Sequence, residues 1–229
     1  MKILFVADKV PYPIYKDGGT LMNYHLLKFL KRNHYVDFIS FVGDNFSEGF
    51  MGDICDTSIL VEDNVKLKKI HLLISLIRLN PPFYNKKSTL FTERINMLVE
   101  NKKYDLIFID SIFMDVYGSH IKHHNKIISL HDSISLLYLS FYNKSNITLE
   151  KMYFKFCSVI YKRKEINILK DYRKCLFVSP KDRNYLQENS SLVLNNSYVI
   201  PNGVNQELID IPANNVYDKD SIVFTGVMD

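Results

Sequence analysis

Five short stretches of this 229-residue chain place chemically able residues directly behind apolar runs. His131-Asp132-Ser133 follows Lys126–Leu130, and Asp110-Ser111 closes Leu106–Asp110. Asp17-Gly18-Gly19 ends the polar loop behind Ile3–Ala7 and opens an amphipathic segment. Ser179-Pro180 and Pro201-Asn202-Gly203 follow two later runs. The imidazole of His131 can hydrogen-bond a substrate, and the Asp132 carboxylate can accept a proton. A glycine pair at a helix start offers backbone N–H groups to a phosphate.

Each feature also has a plainer reading. Gly18-Gly19 can be a flexible turn, and Asp17 or Asp132 can simply cap the helix it precedes. His131 can be a rim residue without a role, and Asp110 a solvated loop carboxylate. Asn202-Gly203 is a turn signal before it is anything else. Glu165 and Lys162-Arg163-Lys164, on a long charged segment, read as solvated surface. His34, His123 and His124 lack partners at metal-binding spacing, so no metal site is expected.

The elements that must position these residues come from the apolar pattern. Strands are predicted at Ile3–Ala7, Tyr35–Val42, Ser58–Val61, Leu106–Asp110, Lys126–Leu130, Cys175–Ser179, Tyr198–Ile200 and Ile222–Thr225. Leu21, Tyr24, Leu27 and Leu30 form a stripe at helical spacing, and further helices are expected at Leu67–Leu79, Ser88–Lys102, Ile112–Tyr117, Asp132–Tyr142, Leu149–Arg173 and Lys181–Glu188. Ser179 should cap the last of these, with Pro180 at its first position. Strand and helix in alternation predict an α/β fold, a Rossmann-like doubly wound parallel sheet. Such sheets bind ligands outside the carboxyl ends of their strands, where the five stretches fall.

Composition narrows the function. The formal net charge of +4 is too small for a nucleic-acid binder, so no nucleic-acid partner is expected. Three cysteines without CxxC spacing argue against a disulfide scaffold or a zinc site, and for a reducing, cytoplasmic setting. Asp8 interrupts the first apolar run too early for a signal peptide. The G-x-G-x-x-G, P-loop and G-x-S-x-G patterns are all missing, which disfavours nicotinamide, P-loop phosphoryl and serine-hydrolase chemistry.

Taken in order, "KILFVADKVPYP…DGG", "HDSISLLY", "VSPKDR", "VIPNGV" and "IVFTGVMD" resemble the N-terminal half of family 4 glycosyltransferases of the GT-B fold. The likeness runs from Met1 to Asp229 and is nearest to the bacterial group that builds exopolysaccharide and cell-surface glycans. The resemblance implies two facing Rossmann-like domains and sugar transfer with retention, without a metal or other cofactor. A nucleotide-diphosphate sugar is the donor substrate, and a glycan or lipid-linked glycan the acceptor. It implies that Gly18 and Gly19 meet the donor diphosphate, and that His131 and Asp132 are catalytic. Asp17 and Asp110 then bind acceptor, while Asn202 and Gly203 lie at the cleft edge.

On this reading residues 1–205 form the acceptor-side domain. Residues 206–229 are the linker and first strand of a donor domain that is otherwise missing, so the chain alone should be inactive. A nucleotide-sugar epimerase of the same fold and a non-catalytic partner subunit are the alternatives. The segment Lys66–Arg78 combines basic charge with an apolar body, so peripheral contact with the inner face of an anionic membrane is a candidate partnership, against a plain core-facing helix.

Overall fold

The computed structural model describes residues 1–14, 17–42, 48–62, 74, 77–81, 87–190 and 195–203. The predicted helix at Leu67–Leu79 lies largely outside these residues. The predicted linker and the strand Ile222–Thr225 lie wholly outside them.

Seven strands form one sheet: β1 Lys2–Ala7, β2 Tyr35–Val42, β3 Thr57–Glu62, β4 Leu106–Asp110, β5 Lys126–His131, β6 Lys174–Phe177 and β7 Ser197–Val199. Their order is β3-β2-β1-β4-β5-β6-β7, and every neighbouring pair is parallel. The fold is Rossmann-like. Among the described residues these helices accompany the strands: α1 Gly18–Lys31, α2 Thr89–Asn101, α3 Asp115–Gly118, α4 Ile134–Lys144, α5 Thr148–Asp171 and α6 Pro180–Glu188. A 3₁₀ turn at Glu48–Asp53, which the apolar pattern does not predict, precedes β3.

The sheet is covered on both faces, which explains why its central strands read as unbroken apolar runs. Ile3 to Ala7 are fully buried, and alternation splits them between two cores. Leu4 and Val6 join Ile107, Ile109, Ile128 and Leu130 beneath α2 and α5 residues such as Phe91, Ile95, Ile160 and Ile168. Ile3, Phe5 and Ala7 join Phe38 and Phe108 beneath Leu27 of α1, with Met51 and Ile54 of the 3₁₀ region. Phe5 stacks on Phe108 at 4.8 Å, fixing β1 against β4.

Helix starts follow local chemistry. The Ser179 hydroxyl accepts from Lys181 N at 3.1 Å, with Pro180 at the first position of α6. Ser88 accepts from Phe91 N at 3.2 Å and caps α2. At α4 the cap is Ser133 rather than Asp132: the Ser133 hydroxyl receives Leu136 N, while Asp132 is exposed.

Candidate functional site

Sequential strands run outward from β1 toward β3, and from β4 toward β7, so the winding direction reverses between β1 and β4. At such a reversal the flanking loops part and open a crevice at the carboxyl ends. Asp8 follows β1, Asp110 ends β4 and His131 ends the adjacent β5. Helix α1 starts from the same edge.

Three side chains meet there. His131 Nε2 lies 2.8 Å from Asp110 Oδ1, and Asn23 Nδ2 of α1 donates to Asp110 Oδ2 at 2.6 Å. Asp110 is therefore no solvated loop carboxylate: it is 2% exposed and engaged through both oxygens. The His131 side chain keeps 22% exposure, enough for a ligand to reach it. Asn23 Oδ1 is buried, and no donor among the described residues reaches it.

Charge follows the geometry. Burial alone would lower the His131 pKa, but the hydrogen bond and charge of Asp110, with Asp132 and Asp8, raise it above 6.5. Asp8 shifts upward from 3.8, through burial first and then the charge of Asp110. A partly withdrawn imidazole and the Asp8 carboxyl, both of which hold their protons to higher pH than usual, thus face the same crevice.

The backbone at these strand ends is strained. His131 has φ 55° and Ser111 has φ 74°, both rare for residues with a Cβ. The pairing of β5 with β6 shifts register between Ser129 and His131, which re-aims the His131 side chain.

A buried carboxyl supports this turn from below. Glu165 of α5 is 1% exposed, which overturns the expectation of a solvated position. It accepts from Ser135 Oγ, from Ser133 Oγ at 3.2 Å and from Ser135 N at 3.3 Å. Burial pushes its carboxyl up to about 7 against these stabilising bonds. Asp182 of α6 accepts from Ser133 N at 2.9 Å, so two helices grip the start of α4. Lys164 beside Glu165 is also no free surface charge, since it pairs with buried Asp115 at 2.8 Å.

The remaining sequence candidates fall into two groups. Asp17 caps α1 by accepting from Thr20 N at 2.8 Å and pairs with Lys9 at 2.7 Å. Gly18 and Gly19 are the first two residues of α1, and a Cβ on Gly18 would meet nothing within 4 Å. Asn202 and Gly203 are exposed beyond β7, two strands from β5, and do not join the His131 cluster. Sequence reasoning missed Asn23. Its signal was an amide on the inward stripe of α1, where Thr20, Asn23 and Leu27 are buried.

The chain matches no protein-family model and no curated protein. It is similar in structure to the N-terminal domain of Candida albicans trehalose-6-phosphate phosphatase, with TM-score 0.51 and 13% identity over 91% of this chain and 50% of that one. A complex of a Polygonum tinctorium UDP-glucosyltransferase, capable of glucosylating indoxyl, with 3,4-dichloroaniline gives TM-score 0.41 and 12% identity, over 87% and 51%. The chain spans about half the length of either structure. The first likeness establishes the fold alone. Among the described residues, no helix is long and apolar enough to cross a membrane.

Proposed function

We propose that this chain supplies the acceptor side of a GT-B glycosyltransferase of the family 4 type. The intact protein transfers a sugar from a nucleoside diphosphate to a glycan or lipid-linked glycan, with retention and without a metal. The observation that carries this reading is the His131–Asp110–Asn23 network at the sheet's reversal, beside the first turn of α1. Residues 1–205 form this half, and residues 206–229 lead into the donor-binding half.

In the proposed mechanism Asn23 and Asp110 hold the His131 ring, and the ring's exposed part bonds the transferring sugar or the acceptor hydroxyl. Asp110 acts here as a positioning residue, because both of its oxygens are taken. Asp132 is exposed and accepts a proton or bonds the sugar, while Asp17, partly exposed although its oxygens hold Thr20 N and Lys9, borders the acceptor. The first-turn N–H groups at Gly18 and Gly19 face the donor diphosphate, where the positive end of α1 offsets charge on the leaving group. Asn202 and Gly203 border the cleft at a distance.

The test is a screen of nucleoside diphosphate sugars against glycan and lipid-linked acceptors, using the intact gene product. Acceptor-dependent release of nucleoside diphosphate is expected. Conversion of the donor sugar with no acceptor added would instead identify an epimerase. No turnover with any donor would favour a non-catalytic subunit.

A further inference from the structure

Helices α4 and α5 leave the sheet directly behind His131 and pack against each other as a hairpin. With 24 residues α5 is roughly 36 Å long, whereas the six residues of β5 cover only about 20 Å. The buried residues of α5 run from Cys157 to Leu169, so its second half covers the sheet. Its first half and α4 extend past the carboxyl edge, on the side where the candidate site lies.

That overhang exposes a cluster of large apolar side chains. Leu149, Met152 and Tyr153 lie at helical spacing on α5 and are 77%, 66% and 44% exposed. Leu137 and Phe141 on α4 and Ile147 in the connection are exposed as well. Ring contacts tie the patch together: Phe141 lies 5.5 Å from Phe154, which lies 5.8 Å from Tyr153.

The rim is cationic. From Ile134 to Phe156 the only acid is Glu150, against Lys144, Lys151 and Lys155. The Glu150 carboxylate is occupied by Ser145 Oγ at 2.8 Å. Lys151 and Lys155 lie 6.0 and 5.3 Å from the centre of the Tyr142 ring. A second copy of this face would set lysine against lysine, and the cores of protein interfaces are depleted in lysine. Aliphatic and aromatic tips ringed by lysine suit the headgroup layer of an anionic bilayer.

We propose that the α4–α5 tip is a docking surface for an anionic lipid bilayer. Leu149, Met152, Ile147 and Phe141 enter the boundary between headgroups and acyl chains, while Lys144, Lys151 and Lys155 contact lipid phosphates. Because His131 lies at the root of the same hairpin, a lipid-borne acceptor arrives on the edge of the sheet that carries the site. That consequence rests on the transferase reading; the lipid contact does not.

Co-sedimentation of the chain with vesicles tests the contact, comparing equimolar phosphatidylglycerol and phosphatidylcholine with phosphatidylcholine alone. Binding is expected only to the anionic vesicles. It should weaken at least about tenfold in Leu149→Glu/Met152→Glu, and by a similar factor in Lys151→Glu/Lys155→Glu. All four side chains lie outside the core, and circular dichroism checks that both variants fold. Absence of binding to anionic vesicles, or binding by either variant as strong as that of the unaltered chain, would overturn the proposal. So would a dimer in light scattering that Leu149→Glu/Met152→Glu abolishes. Turnover with a soluble acceptor reports on the transferase reading separately.

Discussion

His131 Nε2 and Asp110 Oδ1 stand 2.8 Å apart at the ends of two adjacent strands, with Asn23 fixing the carboxylate from a third element. The contact explains how an imidazole partly withdrawn from water keeps a raised pKa. A His whose pKa is raised in the fold adds stability fully below its unfolded value. That stability is lost as pH rises through the folded value. Asp110→Asn should therefore move the His131 titration downward and remove most of its stabilising effect on the acid side. An NMR titration of His131 showing no shift in Asp110→Asn would sink this assignment.

His131→Ala should spare the fold, because the residue lies at a strand end outside both hydrophobic cores. On the proposed transferase reading, its loss should lower turnover of the intact protein by about 10²–10³, the usual effect of deleting one well-placed transition-state hydrogen bond. Initial rates and thermal melting decide between outcomes: unchanged turnover removes His131 from the site, and a collapsed melt makes it structural.

Glu165 gives the opposite kind of pH signature to an ordinary carboxylate. Its folded pKa of about 7 exceeds the usual 4.5. The folded state holds the proton more tightly, so the contribution of Glu165 to stability is greatest below pH ~4.5 and falls until the pH passes ~7. The full loss is on the order of 3 kcal/mol. Glu165→Gln should flatten that decline, and urea unfolding at a series of pH values measures it. Parallel curves for the two proteins would show that Glu165 titrates normally.

The two glycines of α1 should respond differently to a side chain. A Cβ on Gly18 meets nothing within 4 Å, whereas one on Gly19 comes within 3.3 Å of Asp17 Oδ1. Gly19→Val should disturb the cap and cost about 1 kcal/mol in thermal melting. Gly18→Val should melt like wild type. If the donor diphosphate approaches this turn, Gly18→Val will still raise the donor KM in the intact enzyme. An unaltered KM would place the phosphates elsewhere.

Gly118 has a purely structural reason to be glycine. A Cβ there would collide with the hydroxyl of Tyr172 and approach Ile109 Cγ1 to 3.0 Å. That hydroxyl donates to buried Asp115 at 2.7 Å and cannot retreat without breaking the bond. Gly118→Ala should destabilise the chain by about 1–3 kcal/mol in denaturant unfolding, with m unchanged.

By itself the sequence determined the architecture, because strands buried on both faces and capped helices are written in local patterns. Ile3–Ala7, Leu106–Asp110 and Ser179-Pro180 are legible within a few residues of themselves. It also placed His131 and Asp110 at strand ends, the right edge of any doubly wound sheet. Tertiary structure alone decided what those residues do to one another. Asn23 reaches Asp110 across 87 residues, and Glu165 reaches Ser135 across 30. A carboxylate that reads as solvated in sequence becomes a buried anchor only when distant elements pack over it, α1 on Asp110 and the start of α4 on Glu165. Asp110 and Glu165 both change character in this way. Burial and partner charge set hydrogen bonding, pKa and backbone strain at this site, and these are properties of the folded neighbourhood rather than of residue type.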